Sequence, residues 1–143
     1  MSNSQIRPFH LAFPVTSITK TINWYVQVLG CTIGRKSENW VDFNFFGHQI
    51  SAHKVQNKIK SSATNPVDGH NIPSRHFGII LRMDQWDQLC DKLTNLNINF
   101  IIEPNTRFKG EKGEQATFFI QDPSKNVLEF KTFKNDNMIF EHQ

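Results

Sequence analysis

His10-Leu11-Ala12-Phe13-Pro14-Val15 and His76-Phe77-Gly78-Ile79-Ile80-Leu81 carry one pattern twice: a histidine, a large apolar residue, a small residue, then an apolar run. Their length and their β-branched and aromatic content predict two strands. A period of two places His10 and Ala12 on one face of the first strand, with Leu11, Phe13 and Val15 on the other. In the second copy His76, Gly78 and Ile80 share a face opposite Phe77, Ile79 and Leu81. The small residue beside each histidine is expected to leave room over the sheet.

The segment after each strand is also duplicated. Thr16 or Ser17 can cap a helix whose apolar residues Ile18, Ile22, Tyr25, Val26 and Leu29 recur at helical spacing until Gly30 stops it. In the second copy Asp84 is the expected cap, Trp86, Leu89, Leu93 and Leu96 form the buried stripe, and Asn95 and Asn97 mark the exit. Three more strands are predicted after each helix: residues 31–35, 40–46 and 50–55, then 99–103, 116–121 and 127–133. Turns at Gly47-His48 and at Asp122-Pro123-Ser124-Lys125-Asn126 join the last pair of each set.

The order β-α-β-β-β therefore occurs twice, with module one at about 8–55 and module two at about 75–133. Residues 56–74, polar and broken by Pro66, Gly69 and Pro73, are expected to form a connector. Residues 106–115, with Gly110 and Gly113 among charges, are expected to form a mobile loop. The tail, 134–143, is polar apart from Met138, Ile139 and Phe140, which are expected to pack on a partner or on the end of the sheet. At this length neither half buries much surface alone, so residues 1–143 are read as one domain with a duplicated core.

Composition narrows the function classes. A hydrophobic share of 38% with 13 Phe is too apolar for a disordered chain. The net charge of +3 comes from scattered cations, and the nearest approach to a basic run, Lys54, Lys58 and Lys60, reads as a solvated loop, so no nucleic-acid partner is expected. No apolar run suits a membrane span, and residues 1–8 lack the apolar stretch of a signal peptide. Cys31 and Cys90 match no metal or redox spacing and are read as reduced thiols of a cytoplasmic protein.

Three polar residues interrupt apolar strands: His10, His76, and Glu129 within Val127-Leu128-Glu129-Phe130. A carboxylate in such a strand is costly to bury unless something pairs with it. Two imidazoles and one carboxylate converging from three strands make a divalent metal site with open positions for water, substrate or O₂. The bland alternatives are a hydrogen-bonded strand histidine and a solvent-facing Glu129 beside Lys131.

These segments resemble the vicinal oxygen chelate superfamily, which includes glyoxalase I, type I extradiol dioxygenases, fosfomycin-resistance transferases and bleomycin-binding proteins. The resemblance runs from Phe9 to Phe133. It rests on His10-Leu11-Ala12, Trp24-Tyr25, Leu29-Gly30-Cys31, His76-Phe77-Gly78 and above all on the hairpin from Phe118 to Phe130. It implies an α+β fold of two βαβββ modules curving into a half-open barrel, with His10, His76 and Glu129 as ligands of one divalent metal. It also implies a small-molecule substrate with two adjacent oxygens, and a homodimer.

Among the family's chemistries, the four-ligand glyoxalase design is disfavoured because Ile50-Ser51-Ala52-His53-Lys54-Val55 holds no carboxylate. The remaining set suits Fe(II), with Mn(II), Ni(II) or Zn(II) as alternatives, and the leading expectation is an extradiol-type dioxygenase with His53 as proton carrier. A glyoxalase-like lyase or a fosfomycin-type transferase is the alternative, with Arg107 and Lys109 holding an anionic substrate. A metal-free drug-binding protein is the third reading.

Overall fold

Ser17 begins the first helix: its hydroxyl accepts a hydrogen bond from the Lys20 N–H at 3.2 Å, and Gly30 ends it in the left-handed conformation at φ 72°. Around this helix, α1 (Ile18–Leu29), lie β1 (His10–Val15), β2 (Thr32–Lys36), β3 (Trp40–Phe45) and β4 (His48–Lys54). The computed structural model describes residues 5–142 and divides the chain into two units, Met1–Ile59 and Lys60–Gln143. In the first unit the sheet order is β1-β4-β3-β2, with β1 parallel to β4 and the other pairs antiparallel. Its core is aromatic. Tyr25, fully buried, stacks on Phe43 at 5.1 Å between ring centroids and meets Phe13 at 5.7 Å. The alternation of β1 is as expected, with Phe13 and Val15 buried and His10, Ala12 and Pro14 exposed.

The second unit repeats this layout. It contains β7 (Phe77–Ile80), α2 (Met83–Asn95), β8 (Phe100–Arg107), β9 (Gln115–Gln121) and β10 (Val127–Phe133), in the sheet order β7-β10-β9-β8. Helix α2 packs Trp86, Leu89 and Leu93 inward, and the Trp86 indole N–H donates to the buried Phe130 carbonyl at 2.9 Å. Two expectations for this helix need correction. Leu96 is 48% exposed, because the helix ends at Asn95 and Asn97 turns the chain at φ 57°. The cap is Arg82, whose N–H is accepted by Gln85, and Asp84 sits in the first turn, where its carboxylate faces the positive end of the helix.

Residues 56–74 are also more than a connector. They contain a hairpin of β5 (Thr64–Val67) and β6 (His70–Pro73), which belongs to the second unit. Its turn is Asp68-Gly69, both residues in the left-handed region at φ 49° and 79°, as a two-residue hairpin turn requires. Ile72 of this hairpin packs on Ile102, Phe119 and Val127, a second apolar cluster on the sheet face away from α2. Five consecutive residues of β9, from Ala116 to Ile120, are consequently buried on both faces. The edge strand β8 extends to Arg107, so the loop before β9 is shorter than the sequence suggested. The tail turns through a 3-10 segment (Asp136–Met138) against that loop: Gly113 N–H donates to Met138 Sδ and Lys112 pairs with Glu141.

The turn between β9 and β10 is fixed by one buried carboxylate. Asp122 accepts from the backbone N–H of Ser124 and Asn126 at 2.8 and 2.9 Å, and from the Asn126 amide at 2.9 Å. It thereby sets the register that pairs Glu129 with Phe119 on one side and Gly78 on the other. Gly78 is not small to leave room over the sheet. A Cβ built there would strike the backbone carbonyl of Glu129, so the glycine lets β7 approach β10. Replacement by alanine forces the strands apart at the Glu129 position. We expect Gly78→Ala to cost at least ~3 kcal/mol in denaturant unfolding, the upper end for overpacking; a loss under ~1 kcal/mol would contradict the close approach.

Candidate functional site

The histidine of the second copy lies one residue before its strand, since β7 begins at Phe77. Its position is set from two sides. The His76 Nδ1 donates to the Pro73 carbonyl at 2.7 Å, and the ring sits edge-on to Phe119 at 5.1 Å. With Nδ1 committed to a carbonyl it carries the proton, which leaves Nε2 3.2 Å from Glu129 Oε1. The other carboxylate oxygen, Glu129 Oε2, accepts from the Thr117 hydroxyl at 2.5 Å.

The two groups bias each other's protonation. His76 is raised above its ordinary 6.5, first by the hydrogen bond to Glu129, with burial opposing and the Pro73 carbonyl assisting. Burial pushes Glu129 up, but hydrogen bonds from His76 and Thr117 and the nearby Lys131 outweigh it, so its carboxyl stays below the usual range. In the neutral imidazole, Nε2 presents a lone pair to a carboxylate, and only a cation between them resolves the repulsion: a proton or a metal ion. The donor set suits a divalent ion, and the Pro73 carbonyl and Thr117 hydroxyl are the kind of outer partners that orient metal ligands.

The pair lies in a cavity of about 720 Å³ within the second unit. One wall is the β5–β6 hairpin, with Val67, Asp68, His70 and Ile72; the other is the sheet, with Ile102, Thr117 and Phe119. Arg107 and Glu111 complete the charged lining. Arg107 Nε donates to Asp68 Oδ2 at 2.6 Å, and the guanidinium stacks on Phe108, whose own backbone is left-handed at φ 55°. With the two side chains 28% and 52% exposed, an ion pair of this kind contributes about 0–1 kcal/mol.

The structure thus brings together three of the expected residues: His76, Glu129 and Arg107. Lys109 is exposed and does not line the cavity. His10 and His53 belong to the first unit, on one face of its sheet: His10 pairs in register with Gln49 and bonds its side chain at 2.9 Å, and exposed His53 pairs with Pro14 and Trp40. Among the described residues no three His, Cys, Asp or Glu side chains cluster as a metal would require. Cys31 is buried, and burial with nearby Asp87 and Asp91 pushes the Cys90 thiol up to about 12.

Sequence reasoning missed Thr117, Asp68 and His70. The Asp68-Gly69 dipeptide is a hairpin signal and could have placed the latter two; no local signal marks Thr117 as a partner of Glu129.

Comparison with known proteins agrees with the duplicated fold. The model of the Glyoxalase/Bleomycin resistance protein/Dioxygenase superfamily matches residues 7–130. A solved glyoxalase/bleomycin resistance protein/dioxygenase from Alicyclobacillus acidocaldarius is similar at 33% identity and a TM-score of 0.80, over 98% of this chain and 100% of that one. A virulence protein of Salmonella typhimurium is 25% identical over 124 residues, 87% of this chain and 82% of the relative. The metallothiol transferase FosB of Lysinibacillus sphaericus is 24% identical over 123 residues, 86% of this chain and 79% of the relative. No helix is long and apolar enough to cross a membrane among the described residues. With its repeated β-α-β-β-β units and a family match over most of its length, the chain belongs to the Glyoxalase/Bleomycin resistance protein/Dioxygenase superfamily.

Proposed function

We propose that the chain is a metal-dependent enzyme acting on a small substrate with two adjacent oxygens, with His76, Glu129 and His10 as the ligands of one divalent ion. The observation that carries this reading is the His76 ring, fixed at Nδ1 by Pro73 and facing a carboxylate with Nε2. Bound there, a divalent ion supplies Lewis acidity toward the substrate's oxygens. The chain's own residues do the rest. Thr117 holds Glu129 in orientation, Phe119 braces the imidazole, and Ile72, Ile102 and Val67 give the cavity an apolar wall that sheds water.

The first reading of the reaction is non-oxidative, a transfer or lyase step. Arg107 supports it by offering a cation to an anionic substrate within the same cavity, and likeness to a metallothiol transferase points the same way. The second reading is Fe(II)-dependent oxygenation. His70 favours it, as a cavity imidazole able to carry a proton in place of His53.

Two measurements test the proposal. Elemental analysis of protein purified without added metal is expected to find about one divalent ion per chain, and His76→Ala is expected to lose it. No tight binding on loading, or unchanged metal content in the variant, would sink the metal reading and leave a metal-free binder. Oxygen uptake by Fe(II)-loaded protein on a catechol panel would replace the first reaction with the second.

The pH dependence has a definite sign. Because Glu129 raises His76 above 6.5 in the metal-free protein, protons compete with the ion already at a pH above that value. Affinity measured by competitive chelation should be full at alkaline pH and fall as pH drops through the raised His76 value. An affinity that is flat down to pH 6 would contradict it.

A further inference from the structure

Arg107 has more donors than its partner uses. Its Nε–H goes to Asp68, while its terminal nitrogens donate to no described residue. A guanidinium presents five N–H groups in a planar fork that matches a carboxylate or a phosphate two bonds at a time. In this cavity, one wall supplies the fork and the opposite wall covers it with a single carboxylate. Phe108, beneath the guanidinium, holds left-handed backbone at φ 55°. A bulky aromatic residue adopts that region only under constraint from its surroundings, and such constraints gather at binding sites.

We propose that Asp68 occupies a seat on Arg107 that serves an anionic oxygen group of the substrate, a carboxylate or phosphate-type group, and that the two exchange on binding. The identity of the occupant as substrate rests on the proposed enzyme; the seat itself does not. Exchange is cheap for Asp68. Its side chain is 52% exposed, and a pair so open to water shifts an equilibrium by about fivefold at most. An incoming group that engages the fork through two charge-assisted bonds gains more than the one bond it replaces. Asp68 then acts as a specificity-determining residue: a neutral ligand cannot displace it, and an anion can. Only the hairpin turn has to move, because Ile72 anchors the strands of the hairpin to the sheet.

The test titrates inorganic phosphate, and separately acetate, into the Zn(II)-loaded and metal-free protein. Binding is followed through the Arg107 Nε–H resonance, assigned by its loss in Arg107→Gln. Asp68→Asn keeps a residue that tolerates the left-handed turn. It is expected to tighten anion binding about threefold to fivefold. Glu111→Gln removes a carboxylate from the same lining without touching an ion pair of Arg107, and should give a smaller gain. In an Arg107→Gln background, where binding is followed by titration calorimetry instead, Asp68→Asn should gain no more than Glu111→Gln does.

An unchanged or weaker affinity in Asp68→Asn would overturn the proposal, as would an equal gain in Glu111→Gln or, without Arg107, a gain above that of Glu111→Gln. The tighter of the two anions names the chemistry of the seat. A protein that keeps this pattern but retains no metal preserves the seat and discards the metal reading; retained metal without the pattern does the reverse.

Discussion

The His76 ring is tied at one nitrogen and open at the other, and the chemistry of the second unit rests on that asymmetry. A backbone carbonyl is a partner that cannot titrate away, so the Pro73 bond fixes the tautomer at every pH where the imidazole is neutral. Glu129 then faces the free lone pair across 3.2 Å. The supporting parts have identifiable jobs. Gly78 allows β7 to approach β10, Asp122 holds the register of the last hairpin, and Thr117 pins the carboxylate oxygen turned away from His76. The β5–β6 hairpin contributes twice, giving Pro73 to the imidazole and Asp68 to Arg107.

Comparison of the two units shows how one duplicated pattern diverged. Glu129 stands opposite Gly78; at the matching register position of the first unit Ser51 stands opposite Ala12. The hydroxyl of Ser51 donates to Asp42 on the neighbouring strand at 2.5 Å. Each unit therefore places one carboxylate on this face, but only the second has it on the last strand, next to its histidine. His10 bonds the neutral Gln49 amide, whereas His76 meets a charge. The carboxylate beside His76 adds a charge that favours a cation there, while the Gln49 amide only orients His10 through Nδ1.

Much of this was legible in the sequence, for physical reasons. Strands and helices with one buried face impose periods of two and 3.6, so β1 and both helices could be read from the pattern. Tyr25, Leu29, Trp86, Leu89 and Leu93 are buried as expected, whereas Ile18, Ile22 and Val26 are half-buried, Leu96 is exposed, and the buried Thr21 and Val28 lay outside the expected stripe. The repeat itself singled out His76, and the apolar run around Glu129 marked that carboxylate. What escaped was either local turn chemistry in a polar stretch or contact between distant residues. Asp68-Gly69 was submerged among polar neighbours, and the glycines and charges that follow Thr106 hid the end of β8, which runs to Arg107. The Arg107–Asp68 bond joins residues 39 apart in the chain, and the Pro73 partner is a backbone atom, which no side-chain pattern reports.

In the proposed metal centre a cation resolves the encounter between His76 Nε2 and Glu129. Nitrogen-15 NMR of the histidine rings tests it most directly, recorded at a pH above the His76 transition before and after one equivalent of Zn(II). His76 is expected to keep its proton on Nδ1 throughout, while Nε2 moves from an unprotonated to a metal-bound shift. An Nε2 resonance that ignores the ion, or a metal on Nδ1 with the Pro73 bond broken, would contradict it.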